Sequence, residues 1–162
     1  MKYFINMLKF FFQLYFLFVI SWYNPFSFSF LESSLLISVD FLMLYFVMQS
    51  FYLNRSELIL LGCLLGLFID LDLESSLVGV NCFFMSIAAY FLGLVKINSS
   101  NWTNFIKYSF TFLICLILYI NKYLFYNYHF GFSDFAVAII NCSIILGTLI
   151  AVNNFYFKGK LV

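Results

Sequence analysis

Apolar residues run along this chain in six blocks, and polar or turn-forming residues fall between them. A hydrocarbon core about 30 Å thick needs roughly 20 mostly apolar residues per helix, with about 17–25 tolerated. Residues 4–23, 34–53, 57–73, 77–96, 105–125 and 133–155 meet or approach that length. The breaks carry their own signals: Asn24-Pro25, Asn54-Arg55, the acidic run from Asp72 to Ser76, the polar stretch Asn98 to Asn104, and Tyr126 to Gly131. Almost every other residue falls in a short loop. The pattern predicts an all-α fold, a single transmembrane domain over residues 1–162 built as a bundle of six membrane-spanning helices.

Composition strengthens that expectation. Of the 162 residues 65% are hydrophobic and 9% charged, where a soluble domain has about 25% charged residues; mean hydropathy is +1.02. The net charge of +1 offers no basic stripe for a nucleic acid, so the partner surface is the lipid bilayer. The opening MKYFINMLKFFFQLYFLFVISWY has the lysine-then-apolar order of a signal peptide, but its apolar part is too long and no A-x-A-like site follows. It is expected to stay as the first helix. Cys63, Cys82, Cys115 and Cys142 lie far apart, with no C-x-x-C pair, and are read as small core or lipid-facing residues rather than disulfide partners or metal ligands. No cofactor or metal motif stands out.

Orientation follows from lysine and arginine, which cytoplasmic loops concentrate. With both termini cytoplasmic, seven of the eight basic residues (Lys2, Lys9, Arg55, Lys96, Lys107, Lys158, Lys160) fall inside, and only Lys122 falls outside. Asp70, Asp72, Glu74 and Asp134 then lie at or near the outer face, with Asp40 in the outer half of the second helix.

Chemistry concentrates where the third and fourth blocks meet. Gly62, Gly66 and Asp70 are four residues apart and share one helix face. Glycines so spaced let a second backbone approach closely, which lipid-embedded helices need because lipid supplies no hydrophobic drive between them. The fourth block carries small residues to match, Ser86, Ala89 and Gly93, so the two are expected to form a close hairpin. Asp70 has two readings: a solvated carboxylate that ends a helix, or an acceptor for an N–H of the outer turn that fixes the following loop. Gly79 would supply the flexible or close-approach position that opens the fourth helix.

These residues resemble a known family. Gly66-x-x-x-Asp70, a short loop, Leu77-Val78-Gly79 and a helix closing Ala88-Ala89-Tyr90-Phe91-Leu92 are similar to the signature of the bacterial rod-shape-determining protein MreD. Val39-Asp40-Phe41-Leu42 followed by Leu44-Tyr45 is similar to that family's Pro-Asp-hydrophobic opening of its second helix, which maps Asp40 onto the family aspartate. The resemblance covers residues 37–95. Val39 replaces the usual proline, Val-Gly replaces Leu-Gly, and the loop after Asp70 is about one residue longer and more acidic than usual. The resemblance implies a nonenzymatic, multi-pass component of the bacterial cell (inner) membrane in the elongation machinery, which makes peptidoglycan and determines rod shape. It implies partnership with the bitopic periplasmic protein MreC, and indirectly with MreB and the glycosyltransferase–transpeptidase pair. Asp40, Asp70, Asp72, Glu74, Gly79 and Tyr90 are its signature or partner-loop candidates.

Two rival functions differ in class. A membrane enzyme would use Asp40 and Asp70 as an acid–base pair, but no Asn, Arg or His stands beside them in sequence, and the single histidine, His129, has no acidic neighbour before Asp134. A small substrate-binding membrane subunit of a vitamin-type transporter would need convergent polar groups, whereas Asn81, Ser86, Tyr90, Asn141, Ser143 and Thr148 are thinly spread. No catalytic residue is assigned.

Overall fold

The computed structural model describes residues 12–13, 15–20, 27–29, 36–38, 40–72, 79–126 and 131–156. Helical positions at 12–13 and 15–20 (α1) precede a small ladder, β1 (Ser27–Ser29) and β2 (Leu36–Ser38). Five helices follow: α2 (Phe41–Gln49), α3 (Arg55–Asp72), α4 (Val80–Ile97), α5 (Asn104–Tyr126) and α6 (Phe132–Tyr156).

Three of these are long and apolar enough to cross a membrane: Val80–Ile97, Asn104–Leu124 and Phe132–Phe155, of 18, 21 and 24 residues. At 1.5 Å per residue they measure about 27, 31 and 36 Å against a hydrocarbon core of about 30 Å. The first block lies largely outside the described residues; its ring of Phe18 meets that of Phe68 at 5.8 Å between centroids, which seats α1 on α3. α3 matches α4 in length but carries Arg55, Glu57, Asp70 and Asp72 near its ends. Only residues 58–69 between them are uncharged and apolar, about 18 Å of helix.

The second block departs from expectation. In place of one helix over 34–53, β2 pairs antiparallel with β1, Ser27 opposite Ser38 and Ser29 opposite Leu36, and α2 has nine residues, about 13 Å. Asp40 sets the boundary. Its backbone is extended (φ −78°, ψ 93°) and its Oδ1 accepts the Met43 N–H at 3.0 Å, a side-chain N-cap that starts the helix at Phe41. At the other end the Ser50 hydroxyl donates to the Val47 carbonyl at 2.6 Å, and turn bonds continue through Tyr52 and Leu53. Hydropathy sums across such boundaries because serine and aspartate redirect the backbone without interrupting the apolar run.

The helices share one buried cluster, with Phe46 and Val47 from α2, Leu58, Leu61 and Leu65 from α3, Ala89 and Leu92 from α4, Cys115 from α5, and Ala138, Cys142, Ile145 and Leu149 from α6. α5 and α6 run antiparallel: the Asn153 amide donates to the Tyr108 hydroxyl at 3.0 Å, and near the opposite end the Asn141 amide reaches the Tyr123 hydroxyl at 3.4 Å. Amide-to-hydroxyl links of this kind join helices where lipid offers no partner. α6 buries Val137, Ala138 and Leu149 on one side and exposes Ile139, Ile140 and Ile150 on the other, the all-round apolarity of a helix bounded by protein and lipid.

Candidate functional site

α4 begins at a residue that cannot cap it. Gly79 occupies the N-cap with φ 103° and ψ −11°, a left-handed conformation that suits glycine, and it has no side chain to accept the first free N–H groups. Asp70 at the end of α3 does so instead. Its Oδ2 accepts from Gly79 N–H (2.9 Å) and Cys82 N–H (3.2 Å); its Oδ1 accepts from Asn81 N–H (3.1 Å) and from the Asn81 side-chain amide (2.8 Å). Asn81 and Cys82 hold the second and third positions of α4, the N–H groups that a capping carboxylate normally reaches from its own chain end. Here the cap comes from a neighbouring helix, and it sets a negative charge on the positive end of the α4 dipole. Asp70 is 2% exposed, so the carboxylate has been removed from solvent and given N–H donors in return.

Glycine makes this approach possible. A Cβ on Gly66 would lie 2.5 Å from Cys82 N and 2.6 Å from Asn81 C, and one on Gly62 would lie 2.7 Å from Met85 O and 3.2 Å from Ala89 Cβ. The α3 and α4 backbones therefore touch along this seam, the most extensive helix pairing among the described residues. Ala89 is fully buried in it, while Gly93 faces the Arg55 stem, where a Cβ would lie 2.9 Å from Cγ. Ser86 is half-buried and its hydroxyl donates to Cys82 O on its own helix at 2.7 Å.

Beside the clamp is a cleft of about 40 Å³, lined by Asp40 and Met43 of the α2 start, Ile69, Asn81, Phe84 and Met85 of the hairpin, and Leu118, Tyr119, Asn121 and Lys122 of α5. Lys122 Nζ stands 3.7 Å from Asp40 Oδ2, with the side chains 43% and 19% exposed. Asn81 belongs to both features, since it lines the cleft and binds Asp70. The Tyr119 hydroxyl is buried without a hydrogen-bond partner among the described residues.

No protein-family model matches the chain, and no curated protein and no solved structure matches it either.

The structure brings Asp70, Gly79 and Gly66 together at one joint, sets Gly62 further along the seam against Met85 and Ala89, and places Asp40 across the cleft. It sets Tyr90 apart, nearer the opposite end of the hairpin, where the Arg55 guanidinium lies 3.6 Å above the ring centroid. Asp72 is described only as the last residue of α3, and Glu74 with the rest of 73–78 lies outside the described residues. Two participants carry weak sequence signals. Asn81 is marked by standing two places after a glycine that opens a helix, and Lys122 by being the one lysine that the expected topology sets on the outer side. Near Tyr90, Lys96 Nζ donates to the Tyr52 and Leu53 carbonyls, both at 2.8 Å, tying the turn after α2 to the end of α4. Asp70 is turned to N–H groups on both oxygens and Asp40 to an N–H and an ammonium, so the arrangement fixes helix geometry and displays a mixed-charge rim.

Proposed function

We propose that this protein is a nonenzymatic scaffold of the bacterial cell-elongation machinery, a multi-pass protein of the cell (inner) membrane with cytoplasmic termini. It partners MreC, and through it MreB and the glycosyltransferase–transpeptidase pair. The observation that carries the proposal is the joint at Asp70: Gly66, Asp70 and Gly79, the residues on which the resemblance to MreD rests, meet at the start of α4 as one structural unit. A unit so fixed gives a scaffold a face of constant shape.

Two further features support it. An apolar groove of about 460 Å³ runs along the outside of the hairpin between Ile59, Phe83, Ile87, Tyr90 and Phe91, a surface suited to a single-span partner helix. Arg55, Lys96 and Lys107 gather at one end of the helices, and Asp40, Lys122 and the buried Asp70 and Asp134 at the other; the positive-inside rule would set the first end in the cytoplasm. The carboxylates of Asp72, at the end of α3, and of Glu74, two residues on, would orient a basic periplasmic partner, acting on specificity and encounter rate more than on affinity. Against the transporter alternative, the cleft's 40 Å³ falls well below the roughly 300–1,000 Å³ of small-molecule pockets, and the larger groove is apolar but for Ser86 and Tyr90, short of the convergent polar groups a small ligand needs.

The test is photo-crosslinking in native membranes, with a crosslinkable residue at Phe83 in the groove and, separately, at Asn121 on the cleft rim, followed by mass spectrometry of the adducts. Recovery of a single-span periplasmic protein of the elongation machinery at Phe83 is the expected result. Recovery of a transporter's coupling subunit would refute the scaffold proposal.

A further inference from the structure

Across the α3–α4 seam, Cys63 Sγ and Cys82 Sγ stand 2.8 Å apart. That is closer than two non-bonded sulfur atoms settle, and within about 0.8 Å of the length of an S–S bond. Their separation of 19 residues hides the pairing from any reading of cysteine spacing. A disulfide needs Cα atoms within about 4.4–6.8 Å, which only facing positions on closely packed helices provide. Here Gly62 and Gly66 remove the side chains that would hold the backbones apart, and the Gly66 position abuts the backbone of Cys82 itself.

The surroundings hold Cys82 in place and distinguish this pair from the other two cysteines. The Cys82 N–H is fixed on Asp70 and its carbonyl accepts the Ser86 hydroxyl. Both Cys63 and Cys82 are partly exposed, whereas Cys115 and Cys142 are fully buried. An oxidant that reaches the hairpin surface therefore meets the close pair and not the core thiols.

We infer that Cys63 and Cys82 form a reversible dithiol–disulfide pair that locks the α3–α4 hairpin. The oxidant is a disulfide of the general form RSSR, either a low-molecular-weight disulfide or the disulfide of a thiol oxidoreductase. One cysteine, as thiolate, attacks a sulfur of RSSR; that S–S bond breaks and one RSH leaves with a proton. The second cysteine then attacks the mixed disulfide, the Cys63–Cys82 bond forms, and a second RSH is released. Two electrons and two protons pass from the protein pair to RSSR. The closed loop holds residues 64–81, so the lock fixes the Asp70 joint. This chemistry is independent of the scaffold proposal.

The experiment uses the full chain in native membranes, treated with the membrane-permeant disulfide 4,4′-dithiodipyridine, quenched in acid and alkylated after unfolding, with peptide mass spectrometry before and after reduction. The expected product is a linked pair of peptides containing Cys63 and Cys82, lighter than their sum by two hydrogens, abolished by reductant, with Cys115 and Cys142 alkylated. In Cys63→Ser, Cys82 should carry a thiopyridine adduct and no link. The inference is overturned if wild-type Cys63 and Cys82 each carry separate adducts, if both stay free under treatment that modifies the SDS-unfolded chain fully, or if either pairs with a core cysteine. The wild-type measurement decides the matter whether or not the variant folds.

Discussion

Replacing Asp70 by alanine isolates what the carboxylate does for α4. The Gly79, Asn81 and Cys82 N–H groups lose their acceptor together, and Gly79 has no side chain to replace it. At about 1 kcal/mol net per hydrogen bond the loss approaches 3 kcal/mol, while a lost N-cap alone costs up to about 2 kcal/mol; the two bracket a local cost of about 2–3 kcal/mol. Because each 1.4 kcal/mol is a factor of ten, amide exchange in the first turn of α4 should quicken by roughly thirty- to a hundredfold. Hydrogen–deuterium exchange in nanodiscs, followed on peptides covering residues 79–86, reads this directly, with α5 and α6 peptides as internal controls. Asp70→Asn retains one acceptor oxygen and turns an amide toward N–H donors, so about half the acceleration should remain. Wild-type exchange rates over residues 79–86 in Asp70→Ala would refute the capping argument, and equal acceleration in α5 and α6 would mean that the effect is global unfolding.

Gly66→Ala should destabilise the chain by about 1–3 kcal/mol through overpacking of the seam, whereas Gly147→Ala, whose added methyl meets nothing within 4 Å, should be neutral or stabilising by up to about 1 kcal/mol; thermal unfolding in detergent separates them. Lys96→Met removes both bonds to the Tyr52 and Leu53 carbonyls and should cost about 1 kcal/mol, seen as faster exchange in residues 50–54 with the first turn of α4 unaffected. A double-mutant cycle of Asp40→Asn with Lys122→Met should return a coupling below about 1 kcal/mol, because the pair is half in solvent and 3.7 Å apart; a coupling well above that would mark the cleft as more enclosed than its geometry indicates.

The sequence is most legible where one physical signal acts alone. Blocks five and six appear as α5 and α6 within a residue or two, because long apolar runs bounded by Asn98–Asn104 and Tyr126–Gly131 leave only a helix to satisfy the backbone in lipid. The fourth block begins three residues late: apolarity starts at Leu77, but the helix starts after Gly79, whose positive φ ends the preceding backbone path. The second block misleads because Asp40 caps a helix inside an apolar stretch, and capping is a matter of one side-chain angle that hydropathy does not register. Gly62, Gly66 and Asp70 share a visible stripe, yet what Asp70 binds depends on where the chain returns after residue 78. For the same reason the Cys63–Cys82 contact and the cleft between Asp40 and Lys122 have no one-dimensional signature: each joins elements whose neighbours are set by packing.

α3 poses the question that ties these features together, since its uncharged middle is only about 18 Å long and would leave a membrane poorly spanned if it stood alone. Three of its four charged residues have partners. Asp70 is taken up by the N–H groups of α4 at one end; at the other, Glu57 accepts the Asn54 N–H at 2.9 Å and Arg55 stacks on Tyr90 of α4. Two of those three partners belong to α4, so the cost of placing Asp70 and Arg55 near lipid falls only when α4 is already beside them. The glycines at 62 and 66 bring α4 close enough to meet that need along the whole seam. α3 and α4 are thus energetically one element, a hairpin whose first helix depends on its second.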